Sequence, residues 1–64
     1  MQEVREMPND PVMLLSFVNM KLRDFYSDIE SLCMDYNVTV DELKEKLAQI
    51  DYKYDRAQNS FVAE

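Results

Sequence analysis

The chain contains no glycine, so every left-handed turn of its backbone has to be made by a residue that carries a Cβ. Asparagine and aspartate tolerate that conformation best, because their short polar side chains can bond to nearby backbone. Asn37 and Asn59 stand where hydrophobic patterns stop, and both are expected to turn left-handed. The same absence removes a class of function. The phosphate-cradling loops of nucleotide enzymes need backbone that bends where a Cβ would clash.

Other missing residue types narrow the field further. With no histidine and a single cysteine, Cys33, one chain cannot assemble a zinc ligand set, a Ser-His-Asp triad or a Cys-His pair. No catalytic residue, cofactor or metal is therefore expected, and the chain reads as a non-enzyme. A lone thiol makes no internal disulfide, which is compatible with a reducing compartment. The 64 residues, 47% apolar and 31% charged, have the balance of one globular domain and not of a disordered tail. A chain this short buries only about 60% of the surface its unfolded form exposes.

Thirteen acidic residues against seven basic ones give a net charge of -6. That balance opposes binding to phosphate backbones, where cationic footprints supply most of the affinity, so nucleic acid is not expected as a partner. No stretch approaches the roughly 20 apolar residues of a membrane span, and residues 1–7 carry acids where a signal peptide has a basic start. A cytoplasmic protein without a membrane segment is the expectation. Residues 1–7 are charged and aperiodic, and they are expected to form a disordered extension to a single domain over residues 8–64.

The first helix is expected over Pro11–Asp24, with Asp10 as its N-cap and Pro11 at the first helical position, where a missing N–H costs nothing. Its apolar residues make two stripes. Leu14, Leu15, Val18, Leu22 and Phe25 share one face, whereas Met13, Phe17 and Met20 recur at i, i+4, i+7 on nearly the opposite side. Ser16, Asn19 and Arg23 form a polar strip between the stripes and are a candidate ligand-binding strip.

Ser27-Asp28-Ile29-Glu30 reads as a capping box opening a second helix, with Ile29, Leu32, Cys33 and Tyr36 inward and Asn37 closing it. Thr39-Val40-Asp41-Glu42 is a second capping box, with Val38 and Leu43 placed to staple it. The third helix is expected over residues 40–50, with Val40, Leu43, Leu47 and Ile50 inward. After Ile50 the period changes to alternation. Residues 52–54 and 60–62 read as two strands, and a four-residue loop, Arg56–Asn59, would set Tyr54 opposite Phe61.

Two short helices joined by a tight turn and followed by a hairpin describe a mainly α, helix-turn-helix-like fold of three helices closed by a short C-terminal β-hairpin. A DNA-binding or DNA-mimicking regulator is the alternative function that this shape suggests. The third helix, which would meet base edges, opens with Asp41 and Glu42, and phosphate repels both.

The Met13, Phe17, Met20 stripe is the more informative surface. A two-sided apolar helix has to be covered on both sides. Either the hairpin covers this stripe with Tyr52, Tyr54 or Phe61, or a second chain does, and the smallness of the core favours the second chain. Cys33 is expected as an inert buried thiol, and the dispersed carboxylates as solvated charge.

The residues also resemble a known family. Pro8-Asn9-Asp10-Pro11, Met13-Leu14-Leu15-Ser16, Asn19, Leu22-Arg23-Asp24, Leu32-Cys33 and Tyr52-Lys53-Tyr54-Asp55 with Asn59 and Phe61 are similar to the small bacterial family called domain of unknown function 4250. The likeness spans residues 8–61. It implies a bacterial, cytosolic protein with no assigned activity and supplies no site residues. That family commonly has a glycine before the first hairpin tyrosine, where this chain has Asp51, a difference that argues against a left-handed turn there. The function expected is a non-enzymatic protein-interaction module that self-associates through the first helix, with a homodimer or another protein as the partner that covers the Met13, Phe17, Met20 stripe.

Overall fold

The computed structural model describes residues 7–64. Three helices, α1 (Pro11–Asp24), α2 (Ile29–Tyr36) and α3 (Val40–Ala48), precede an antiparallel hairpin of β1 (Tyr52–Asp55) and β2 (Ser60–Ala63). This is the mainly helical fold expected, and α1 has the expected limits. The expected disordered extension falls outside the described residues except for Met7, which packs against the core.

Local chemistry accounts for the helix ends. The Asp10 side chain accepts a hydrogen bond from the Val12 amide, and Pro11 opens α1. Thr39 Oγ1 accepts from the Glu42 amide at 3.0 Å and starts α3. At α2 the start lies one residue later than the capping-box reading, because Asp28 and not Ser27 is the cap. Its carboxylate accepts from the Ser31 amide at 2.7 Å, and an ionised carboxylate is the stronger acceptor for a positive helix end. Glu30, assigned to the capping box, instead meets Arg56 of the hairpin loop at 2.7 Å. Helix α3 also stops two residues short of the expected Ile50. Its last turn tightens, with the Gln49, Ile50 and Asp51 amides each donating to a carbonyl three residues back.

Three residues take positive φ: Asn37 (58°), Asp51 (62°) and Asn59 (51°). Both asparagines behave as expected. Asp51 overturns the expectation drawn from its lack of a glycine, since it turns left-handed with a Cβ in place. Two backbone bonds hold it: its amide donates to Ala48, and its carbonyl accepts from the Glu64 amide at 2.9 Å, extending the hairpin ladder by one rung.

The four-residue loop and the register are as expected, with Tyr54 opposite Phe61 and their ring centroids 5.5 Å apart. Leu14, Val18, Leu22, Ile29, Leu32, Cys33, Leu43, Leu47 and Phe61 form one buried cluster. Phe25 does not join it, although the helical wheel puts it inward. It is the residue that caps α1, with φ -126°, so the helical period no longer governs its direction. It stands 67% exposed, with the Lys21 ammonium 4.7 Å from its ring centroid.

Candidate functional site

The two faces of α1 differ in what covers them. Leu14, Val18 and Leu22 are buried, and β2 brings Phe61 against that face. Its backbone N–H donates to Asn19 Oδ1 at 2.7 Å, and its carbonyl accepts from Asn19 Nδ2 at 3.0 Å. One amide side chain thus completes the open edge of the hairpin as a neighbouring strand would. Asn59 fastens the loop in the same way, donating to the carbonyls of Leu22 and Tyr26 at the end of α1.

The hairpin therefore reaches α1 from the side of the first apolar stripe; of the second, only Met20 borders the cleft that α1 makes with the hairpin loop. Within that second stripe, Phe17 is half-buried beneath a ring of α2. Tyr36 meets it edge-on at 5.7 Å and 90°, and Tyr26 meets Tyr36 in turn at 6.4 Å. The Tyr26 hydroxyl donates to the Asp35 carboxylate. Met13 remains 61% exposed and Met20 36%. One of the three candidate interface residues thus has an internal partner, and two face outward.

Val12, 60% exposed, is an addition to this surface that the stripe pattern missed. It lies one turn before Ser16 on the same side, and that i, i+4 spacing could have flagged it. Met34 on α2 is 80% exposed but stands between the acids Glu30 and Asp35 on a helix with no base. Helix α1 is the one helix whose bases outnumber its acids, with Lys21 and Arg23 against Asp24.

The three residues of the candidate polar strip lie along one cleft of about 610 Å³ between α1 and the hairpin loop, which Gln58, Asn59 and Ser60 also line. Ser16 and Arg23 are exposed. Asn19 is half-buried with its amide committed to Phe61, and the Arg23 guanidinium forms a two-pronged pair with Asp24. That hydrogen-bonded pairing holds Asp24 below the usual carboxylate range and raises Arg23. A second cleft, about 180 Å³, lies where Met7 and Pro8 cross Leu14, Tyr36, Val38 and Leu43, with Glu42 and Lys46 also in its walls.

Three further carboxylates have structural partners. The Ser31 amide depresses Asp28, Arg56 depresses Glu30, and the Gln58 side chain followed by the Ala57 amide depresses Asp55. Cys33 is a free thiol with 2% exposure, and loss of solvation raises its pKa, which keeps it protonated and unreactive. Among the described residues no polar or charged side chain is buried, no three His, Cys, Asp or Glu residues gather into a metal-binding group, and no helix is long and apolar enough to cross a membrane.

Residues 8–61 match the model of a protein family described as Domain of unknown function (DUF4250). No curated protein and no solved structure matches the chain.

Proposed function

The chain belongs to the DUF4250 family, and within it we propose a non-enzymatic protein-interaction module, cytoplasmic, that associates with a second copy of itself through the outer face of α1. One observation carries this reading: the core closes around the inner face of α1 while Val12, Met13 and Met20 stay outside it. Methionine suits such a surface, because its flexible thioether adapts to whatever packs on it. The module is proposed as non-enzymatic because Asp28, Glu30 and Asp55 serve a cap, an ion pair and a turn, Cys33 lies in the core, and the remaining carboxylates of the helices are exposed, with no pair set apart for acid and base roles. DNA binding is disfavoured by the same charges that the sequence shows, since Asp41 and Glu42 are exposed at the leading end of α3.

Sedimentation equilibrium tests the proposal. A single helix face is smaller than the roughly 800 Å² per partner of a standard interface, so association is expected in the range of tens to hundreds of micromolar. Replacing both exposed residues (Met13→Glu with Met20→Glu) is expected to leave the circular dichroism unchanged and abolish association. A strict monomer of the unaltered chain at about a millimolar, or association that survives both substitutions, overturns the reading.

A further inference from the structure

We propose that the two copies pair with their α1 helices antiparallel, about a two-fold axis between Ser16 and Phe17, so that Met13 of each copy packs against Met20 of the other. This deepens the self-association reading and rests on it.

The spacing on the exposed face carries the orientation. Met13, Ser16 and Met20 follow i, i+3, i+7 and lie along one side of α1. The two large apolar side chains thus flank a small one. In an isologous dimer a surface must complement itself: each residue meets a residue equally far from the axis. Reversing the helix about its middle puts Met13 level with Met20 of the partner, and the serines lie next to the axis, where their small side chains let the backbones approach. A parallel pair would instead set Met13 on Met13 and Met20 on Met20.

Charge at the helix ends distinguishes these two arrangements. The basic residues of α1, Lys21 and Arg23, are both in its last turn, its first turn has no acid, and Asp10 caps its start. Antiparallel pairing brings the Asp10 end of one copy level with Lys21 and Arg23 of the other, with the helix dipoles opposed, which is the favourable sense. Parallel pairing would instead set the two Lys21 ammonium groups at one end, since Arg23 is already paired with Asp24 in each copy. The choice of α1 over the other exposed apolar positions follows from the same ledger of charge. Each molecule carries -6, so two copies approach more easily through α1, whose bases outnumber its acids, than through α2, which carries acids and no base of its own.

Disulfide trapping tests the orientation separately from the association. Met13→Cys and Met20→Cys are made singly, and the unaltered chain with its buried Cys33 is the control. Under a thiol-disulfide buffer each single variant alone is expected to form no disulfide-linked dimer, because the two introduced thiols of an antiparallel pair lie about 10 Å apart, beyond disulfide reach. An equal mixture of the two is expected to give the mixed disulfide in at least about tenfold excess over either homodimer, since pairing raises the local thiol concentration. Homodimeric disulfides from the single variants, or a statistical mixture, overturn the antiparallel geometry while leaving self-association standing. Absence of cross-linking in a chain that sedimentation shows to associate overturns the Met13 to Met20 contact. Absence of both overturns the association as well.

Discussion

The two flanks of α1 are held by opposite kinds of chemistry. On the hairpin flank, Asn19 and Asn59 bind the backbone of β2 and of the α1 terminus through four hydrogen bonds of 2.7 to 3.1 Å. On the α2 flank, Phe17, Tyr36 and Tyr26 stack edge to face, and Lys21 lies 5.5 Å from the Phe17 ring centroid. The amide flank is directional, since it satisfies particular N–H and C=O groups that would otherwise be left at the edge of a two-stranded sheet. The aromatic flank is tolerant, because ring contacts survive small shifts. A two-stranded ribbon is marginal alone, and this comparison shows how a short chain without glycine anchors one: polar side chains fix its position, and the buried Phe61 fills the core beneath it with Tyr52 and Tyr54 packed alongside.

The same residue placed on each flank breaks the comparison most sharply. Asn19→Leu keeps the side-chain volume but strands the Phe61 N–H and C=O, and is expected to cost about 2–3 kcal/mol in chemical denaturation. Phe17→Leu keeps an apolar side chain in a half-buried site and is expected to cost about 1 kcal/mol. Equal losses from the two would mean that packing, and not hydrogen bonding, holds the hairpin.

A smaller effect belongs to the third left-handed residue. Asp51 lacks the side-chain hydrogen bonds that hold Asn59, so Asp51→Asn, a residue more at ease with positive φ, is expected to raise stability by about 0.3–0.5 kcal/mol. The corresponding Asn59→Asp change should destabilise, because a carboxylate cannot donate to the Leu22 and Tyr26 carbonyls. A thermal melt of the pair separates backbone preference from fastening.

The smallest effect is seen only in acid. The Asp28 carboxyl is held below its ordinary range chiefly by the Ser31 amide, so it contributes stability that is present above its unfolded pKa and is lost as pH falls through the lower folded one. Asp28→Asn preserves a good cap. It is expected to leave the midpoint near neutral pH almost unchanged and to flatten the loss of stability below about pH 4. An acid limb as steep as that of the parent would assign the dependence to Asp55, Glu30 and Asp24 instead.

Much of the fold was legible in order along the chain. Caps, the proline at α1, the two asparagine turns and the hairpin register are local matters, decided by a few adjacent residues, and they came out as the residues imply. The misreadings arose where two local signals competed. Ser27 and Asp28 are both good caps, and the sequence does not rank a hydroxyl against a carboxylate whose rival acid, Glu30, is drawn off by Arg56 across the fold. Phe25 lies one residue beyond the last helical position, where the helical period no longer sets a side chain's direction.

The candidate surface was legible only in part. Met13, Phe17 and Met20 share a spacing, and spacing alone cannot say that Tyr36 takes Phe17 inward and leaves the methionines outside. Asn19 shows the converse, a residue that reads as surface because polar residues usually are, yet whose amide is the partner of the hairpin edge.

From its residues alone this chain dictated which elements form and, to within one or two residues, where each begins and ends, because caps and apolar period act within a few bonds. Only the packed molecule decided which side chains fasten one element to another, since a hydrogen bond from Asn19 to Phe61 joins positions 42 residues apart and depends on the helices that bring them together.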